Sequence, residues 1–510
     1  MTHKKGAQFK HVKNPFIRRN KFDLSHERRM SADMFLLTPV LCDMVIPGDK
    51  WRIGNEIVIR MNPLVAPIMH QINVFVHYYF VPFRLLWEYW EDFITGGRDG
   101  KFTADLPLWS NGSRGIGSLW DYCGFNTLNP GQSVIRNPLV FPRRAYNMIY
   151  NEYYRDPNIT DPVDLDWINL ETADLHVRCW EKDYFTSMLP WQQRGDPPAL
   201  PISGTSSAVF PMPFNDGTGF ALGNIGVSPG GGNRFYGRDA SVASILRNAL
   251  NNNTVNLSNA STFDVSDLRL AFQIQRFLER NARTGSRYVE FLRAHFPAAP
   301  RDDRLQRPEY IGGSKTPIVV SEVLQTSESQ STPQGNMSGH GLSADRTYIN
   351  TYNPQEDGVI MGIMSIMPRT MYSQGIDRVW LKETKYDWYF PEFANLSEQA
   401  VYTEELYNFG PPPIDKVVGY QGRYDEYRYK RNTVHGLFRT DFKHWHLGRE
   451  FANAPTLNVD LVRPNASERN SMKRILAVPS EPMFLITFGN RLHVTRPMPF
   501  MAEPGLIDHN

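Results

Sequence analysis

The chain has 510 residues, 55 Lys+Arg against 53 Asp+Glu, and a formal charge of +2. Its 41% hydrophobic and 21% charged content fits a globular protein and excludes a mainly disordered one. Aromatics at 13%, with 37 Gly and 37 Pro, favour strands and turns over helices. The balance of charge is uneven along the chain. Lys4, Lys5, Lys10, Lys13, Arg18, Arg19 and Lys21 all precede the first acid, Asp23. Residues 1–22 therefore form an arm of +7, which leaves −5 for the rest of a chain at +2.

Phe22 to Asp43 reads as an extended lead-in containing the apolar run Met34–Leu37. Ile53, Ile57, Ile59 and Met61 then share one parity with Asn55 between them, the period-2 face of a strand. After Pro63 and Pro67, Ile72, Val74, Val76, Tyr78 and Phe80 make a second strand that ends at Pro82. Arg84–Gly96 predicts a short helix with Leu86, Trp90 and Phe93 or Ile94 inward, stopped by Gly96 and Gly97. Residues 100–180 are irregular, with a helical piece expected over Arg143–Tyr153.

Between Gly195 and Gly237 glycine and proline crowd together and charge nearly vanishes. Such a stretch cannot be helical, and Val209, Phe210, Met212, Phe214 and Phe220 need a partner surface. It reads as a protruding insertion that packs against neighbouring copies. A helix follows from a cap at Asp264 or Ser266, carrying Leu268, Ala271, Phe272, Gln275, Leu278 and Ala282, and Gly285 stops it. A second helix spans Arg287–Phe296, and 325–358 reads as a polar loop. Strand patterns return at Val359–Met367, Lys416–Tyr420, Asp425–Tyr429, Val434–Phe438, Met483–Phe488 and Arg491–Thr495. Strands at both ends with helices and loops between predict one β-sandwich whose middle connections are greatly extended. Its N- and C-terminal strands must then pair.

Motifs for catalysis are scarce. Gly312–Gly313–Ser314–Lys315–Thr316 lacks the Gly-Lys pair with which a P-loop wraps a phosphate. Gly217, Gly219 and Gly223 resemble a dinucleotide loop only in glycine content. Glu88, Glu91 and Asp92 fall on the polar side of their helix and read as a solvated face. His444 and His446 lack a neighbouring third ligand, so structural or interface roles are expected and no metal or cofactor is assigned. The methionines Met361, Met364 and Met367 belong to a buried strand rather than a ligand groove. Cys42, Cys123 and Cys179 are too few and too dispersed for a disulfide framework, which points to a reducing compartment. No apolar run reaches the ~18 residues of a membrane span, and no apolar stretch follows the basic arm to make a secretory signal. The expected setting is a cytosol, without membrane insertion. The arm is the one charged feature that suggests a ligand: seven cations without an acid suit phosphate chains, and Phe9 and Phe16 could stack on exposed bases; the alternative is a solvated tail.

Several blocks go further. FDLSHERRMSADMFLLTPVLCDMVIPGDKWRIGNEIVIRMNPLVAPIMHQINVFVHYYFVPFRLLWEYWEDFITGG (Phe22–Gly97) closely resembles the opening of gokushovirus major capsid proteins, from small single-stranded DNA phages of the Microviridae. LRLAFQIQRFLERNARTGSRYVEFLRAHF (Leu268–Phe296), RLQRPEYIGG (Arg304–Gly313), the segment from Gly358 through YDWYFPEFANLSEQAV, GYQGRYDEYRYK (Gly419–Lys430) and RPMPFMAEPGLIDH (Arg496–His509) resemble the same family in order. The main departure is 196–263, which carries no familiar motif.

The resemblance implies a mainly β fold, an eight-stranded antiparallel viral jelly roll with long insertion loops containing helices. It also implies sixty copies in a T=1 icosahedral shell, and no catalytic residues. The expected organisation is an interior basic arm (1–22), the first part of the jelly roll (23–195), a threefold protrusion (196–263), a helical and loop insertion (264–358), and the remaining jelly roll (359–510). The arm residues Lys4 to Lys21 named above would contact packaged single-stranded DNA. Val209, Phe210, Met212, Phe214 and Phe220 would lie on the protrusion that meets a host surface receptor. Expected partners are further copies of the chain, a small basic DNA-binding protein and other phage structural proteins, in a virion assembled in the host cytoplasm. The rival reading is a carbohydrate-binding or carbohydrate-active β-sandwich, which would need two carboxylates lining a cleft.

Overall fold

Alternating apolar residues bounded by prolines form the frame of the sheet in a computed structural model of the chain. It describes residues 18–129, 132–198, 265–284, 287–296, 300–324, 337–410 and 417–501, together with four short strands inside 199–264. The first strands are β1 (Asn20–Asp23), β2 (His26–Ala32), β3 (Thr38–Val45), β4 (Lys50–Met61) and β5 (Ile72–Pro82). The short strands are β6 (Ala208–Val209), β7 (Ile225–Val227), β8 (Phe235–Gly237) and β9 (Thr254–Val255). Then come β10 (Glu309–Leu324), β11 (Met337–Tyr352), β12 (Gly358–Pro368), β13 (Gln399–Tyr402), β14 (Val417–Gln421) and β15 (Phe484–Arg496).

The last strand does pair with the first ones. β15 runs antiparallel to β4 along its length on one side and to β1 and then β2 on the other, so β1 and β2 act as one interrupted edge strand. β4 pairs in turn with β11, which completes one sheet. The second sheet has the order β3–β12–β5–β10. β10 serves both, lying along β5 up to Ile318 and along β11 from Val319, so the two sheets are continuous around one side. This is an eight-stranded antiparallel jelly roll, with long connections from β5 to β10 and from β12 to β15.

Burial explains the two kinds of strand pattern. In β4 the odd positions from Trp51 to Met61 are buried, while the even ones, Gly54 apart, face solvent. Every residue of β12 is buried. Its Ile360, Met364 and Ile366 join the core between the sheets, with Phe80, Ile57 and Phe488. Its Val359, Met361 and Ile363 point the other way, into a second core with Trp109, Trp120, Phe141 and Tyr146 of the β5–β10 connection. A strand covered on both faces reads as a continuous apolar run, and one with a wet face alternates. The methionines of β12 are core residues, as expected.

Several elements differ from the sequence reading. Residues 337–352, expected within a polar loop, are β11, and β10 also lies within the span expected to be helices and loops. The inward positions of β11 are small or polar (Gly341, Ser343, Asp345, Thr347), so no apolar period marks it. A Cβ on Gly341 would sit 2.4 Å from Met61 Sδ, so bulk from β4 fills that space instead. The helix expected over 84–96 is two, Phe83–Leu86 and Trp90–Thr95, because Trp87 turns extended (φ −150°, ψ 117°) and its indole is buried. Asp425–Arg428 is a helical turn entered through Tyr424 at φ 65°, and Gly436–Arg439 is a 3-10 turn, where strands were expected. The two C-terminal strand patterns are one strand, β15. The helices at Val265–Thr284 and Tyr288–His295 agree with expectation, and Phe141–Ile149 continues as a π-helical turn to Tyr154.

The chain divides into two compact units, 193–280 and the remainder. The smaller one contains the antiparallel ladders β6–β9 and β7–β8 and most of the 265–284 helix. On that helix Leu270 and Phe272 are exposed, while Gln275 bonds to Gln193 and, at 2.9 Å, to Glu279.

Candidate assembly and nucleic-acid surfaces

Of the arm cations, Arg18 and Arg19 are exposed just before β1, and Lys21 is exposed on β1 opposite Thr495. Lys4, Lys5, Lys10 and Lys13 lie outside the described residues, as do Phe9 and Phe16. Val209 stands on β6 opposite Thr254, and Phe210, Met212, Phe214, Phe220 and the glycines 217, 219 and 223 lie outside the described residues.

The segments screened for chemistry have structural duties. Gly312 to Thr316 is the middle of β10, and a Cβ on Gly313 would stand 2.6 Å from His77 and from the Val76 carbonyl. That glycine leaves room for the His77 ring of the paired strand β5, and Lys315 pairs with Glu181 at 2.9 Å. Glu88, Glu91 and Asp92 are exposed. His446 is buried; its Nε2 meets the Phe438 carbonyl at 2.7 Å and its Nδ1 accepts from the Gly448 N–H at 2.9 Å. Both ring nitrogens are thus spent on backbone.

Two buried carboxylates come nearest to what the carbohydrate reading requires. Glu405 and Glu426 line one recess with Tyr184 and Arg378, but its volume is only about 20 Å³, room for a water rather than a sugar ring. Glu405 is held by Arg378 at 2.8 Å and by the Tyr184 hydroxyl at 3.0 Å, and Glu426 accepts from Gln399 at 2.7 Å. Burial raises the Glu405 carboxyl, against the pull of Arg378. The pair braces β13 and its neighbours.

A larger recess of about 890 Å³ lies beside β5 and β10, lined by His77, Tyr79, Tyr154, Arg155, Arg178 and Arg307 among others. Lys182–Asp156 and Arg307–Asp302 ion pairs neutralise part of its charge. Burial, and secondarily Arg178, lowers the His77 pKa to about 4, so the ring is neutral and bonds Tyr154 at 2.8 Å. Burial raises the thiol of Cys179 in the same wall, which keeps it protonated and unreactive at neutral pH.

What the main unit does display is aromatic surface. Trp380 is 81% exposed, and Tyr386, Trp388, Tyr389, Tyr427 and Tyr429 are each about half exposed. The group is built around Lys382, whose buried ammonium lies 4.3 Å from the Tyr427 ring centre and donates to the Asp387 carbonyl at 2.8 Å. Large rings held in place and left wet mark an interaction surface. The sequence reading assigned no role here, although the aromatic density of WLKETKYDWYF was the available signal.

The family model described as "Capsid protein (F protein)" matches residues 10–506. This chain belongs to that phage capsid protein family. Capsid protein VP1 of Chlamydia phage 1 is 32% identical to it, over 98% of this chain and 97% of the relative. The VP1 capsid proteins of Bdellovibrio phage phiMH2K (30%; 97% of both chains) and Spiroplasma virus 4 (27%; 98% of this chain, 97% of the relative) are similar end to end as well. The gokushovirus resemblance of the sequence blocks is therefore correct. As a Microviridae capsid protein the chain is a virion component that assembles into a shell, and it is not an enzyme. The capsid reading also accounts for the exposed rings, because a coat subunit must keep contact surface for its neighbours. Among the described residues no helix is long and apolar enough to cross a membrane.

Proposed function

We propose that sixty copies of this chain close a T=1 icosahedral shell around a circular single-stranded DNA genome, with 196–263 as a surface protrusion that contacts a host receptor. The observation that carries this reading is a capsid-family match running from residue 10 to residue 506, through the jelly roll and both long insertions. The basic arm faces inward and binds DNA through Lys4, Lys5, Lys10, Lys13, Arg18, Arg19 and Lys21, without sequence preference. Val209, Phe210, Met212, Phe214 and Phe220 belong to the host-contact insertion. Assembly takes place in the host cytoplasm.

The arms cannot neutralise the genome unaided. Sixty of them bring about 420 positive charges, whereas coding for this chain alone takes about 1,530 nucleotides and as many phosphates. A separate small basic DNA-binding protein fills part of the deficit, alongside other phage structural proteins.

Electron microscopy and native mass spectrometry of the purified protein test the reading. The expected result is uniform shells of about 3.5 MDa, from sixty subunits of 58.6 kDa each. A protein that stays monomeric under all assembly conditions contradicts it.

A further inference from the structure

We infer that the solvent face of the β1/β2–β15–β4–β11 sheet carries a recess that binds the phosphate backbone of single-stranded DNA, formed by Arg52, Arg346 and Arg491 over Gly54. The identity of the polyanion rests on the coat reading above; the recess itself rests on register and charge.

Residues directly opposite one another in antiparallel strands share a face. Arg52 on β4 is opposite His493 on β15, and Gly54 is opposite Arg491 on one side and Tyr348 of β11 on the other. Arg346 follows one step along β11, opposite Glu56. Three guanidiniums and an imidazole thus surround a position without a side chain. The resulting recess has a volume of about 430 Å³, within the range of ~300–1,000 Å³ usual for small-molecule sites.

The local charge is poorly balanced. Among the described residues no carboxylate lies within ion-pair distance of Arg52 or Arg491. Arg346 reaches Glu56 only at 3.9 Å, with both side chains more than half exposed. His493 lies 3.5 Å from Asp23. The same face continues with Lys21 and Lys50 flanking Thr495, and with Arg60 and Arg29 further along β4 and β2. Against these seven cations it carries only Asp23, Glu27 and Glu56.

Two features favour a nucleic-acid backbone over an acidic stretch of a second copy. The face begins at β1, directly after Arg18 and Arg19, so it prolongs the basic arm. The chain beyond residue 22 is only −5 overall, a dilute charge beside one phosphate per nucleotide. Tyr348 adds a stacking surface: the residue is 55% exposed and the Arg52 guanidinium lies 5.3 Å from its ring centre. Cations that fork onto phosphates beside an aromatic plane are the recurring composition of single-strand sites.

The test measures binding of a fluorescent dT20 oligonucleotide to the full chain by anisotropy across a salt series. R52Q/R346Q/R491Q should weaken binding at least about tenfold at low salt and flatten the log–log salt slope by about 2, near 0.7 for each phosphate no longer neutralised. R52K/R346K/R491K should keep most of that slope. Unchanged affinity and slope in the glutamine variant overturn the inference. So does a variant that loses shell assembly while its unassembled subunits bind dT20 normally, since the face would then meet a second copy. Should the triple variant misfold by circular dichroism, R491Q alone is read: a slope flatter by about 0.7 supports the site and an unchanged one overturns it. Wild-type protein that binds dT20 yet never forms shells would sink the T=1 reading and leave the recess standing.

Discussion

Asn55 and Asn490 face each other across β4 and β15 inside the sandwich, both essentially without solvent exposure. Each crosses to the opposite sheet: Asn490 Nδ2 donates to the Val40 carbonyl on β3 at 2.9 Å, and Asn55 Nδ2 donates to Ser314 Oγ on β10 at 3.3 Å. The polar pair therefore fixes how the two sheets align, which apolar contacts alone leave loose. Asn490→Ala strips a buried carbonyl of its donor and should cost about 1–3 kcal/mol. Asn55→Ala should cost about 1 kcal/mol or less, because Ser314 Oγ loses one long accepted bond and keeps its own hydrogen to donate. Urea unfolding of unassembled subunits measures both, and the reverse order would contradict this account.

Asn55 also marks how far the sequence could be read. Its place in an otherwise apolar parity identified β4, and the aliphatic run identified β12, because both strands have faces that meet a core. β11 escaped notice since Gly341 and Ser343 occupy its inward positions beneath Met61 and Ile318. Strand patterns at 425–429 and 434–438 proved to be turns: Tyr427 covers Lys382, while Phe438 packs on Phe442 and His446. The arm was legible as charge. The recess on the sheet was not, because Arg52, Arg346 and Arg491 are brought together only by pairing strands from both ends of the chain.

Acid should destabilise the subunit through its buried histidines. His70 Nε2 donates to the Arg369 carbonyl at 2.8 Å while Nδ1 accepts from the Leu447 N–H at 3.4 Å, an arrangement that needs the neutral ring. Burial lowers its pKa to about 4, as it does for His77, and holds His176 well below the usual range. A histidine depressed in the folded state binds its proton more readily when unfolded. Its stabilisation is complete above pH ~6.5 and is lost as the pH falls toward about 4. Asp43 and Glu405 oppose this, because burial raises their carboxyls. Thermal midpoints should fall steeply between these limits, and His70→Gln should show a shallower fall than wild type. Parallel curves for the two proteins would show that His70 is not among the groups responsible.

Truncation of the arm has a structural boundary. β1 begins at Asn20, whose Nδ2 donates to the Met498 carbonyl at 2.8 Å, and Asp23 closes its ladder with β15. Removing residues 1–17 should leave the subunit's melting temperature unchanged while lowering the DNA retained in shells. Removing 1–23 should destabilise the edge of β15 as well. Equal DNA content in full-length and 1–17-deleted shells would refute an inward, DNA-binding arm.

Trp380 separates assembly from folding. It lies in a 3-10 turn capped by Asp377, whose carboxylate accepts from the Val379 N–H at 3.2 Å, so its backbone position does not depend on the indole. With 81% of its surface in water, Trp380→Ser should change subunit stability by no more than about 0.5 kcal/mol. If the exposed rings are contact surface between copies, removing a central tryptophan should cost about 2 kcal/mol or more at each subunit interface, on the order of thirtyfold in each association step. Because a closed shell repeats every interface, that deficit compounds, and the critical concentration for assembly should rise steeply. Light scattering across a concentration series measures that threshold, with circular dichroism reporting the fold. An unmoved threshold would place the ring outside the subunit interfaces and direct attention to Trp388 and Tyr429.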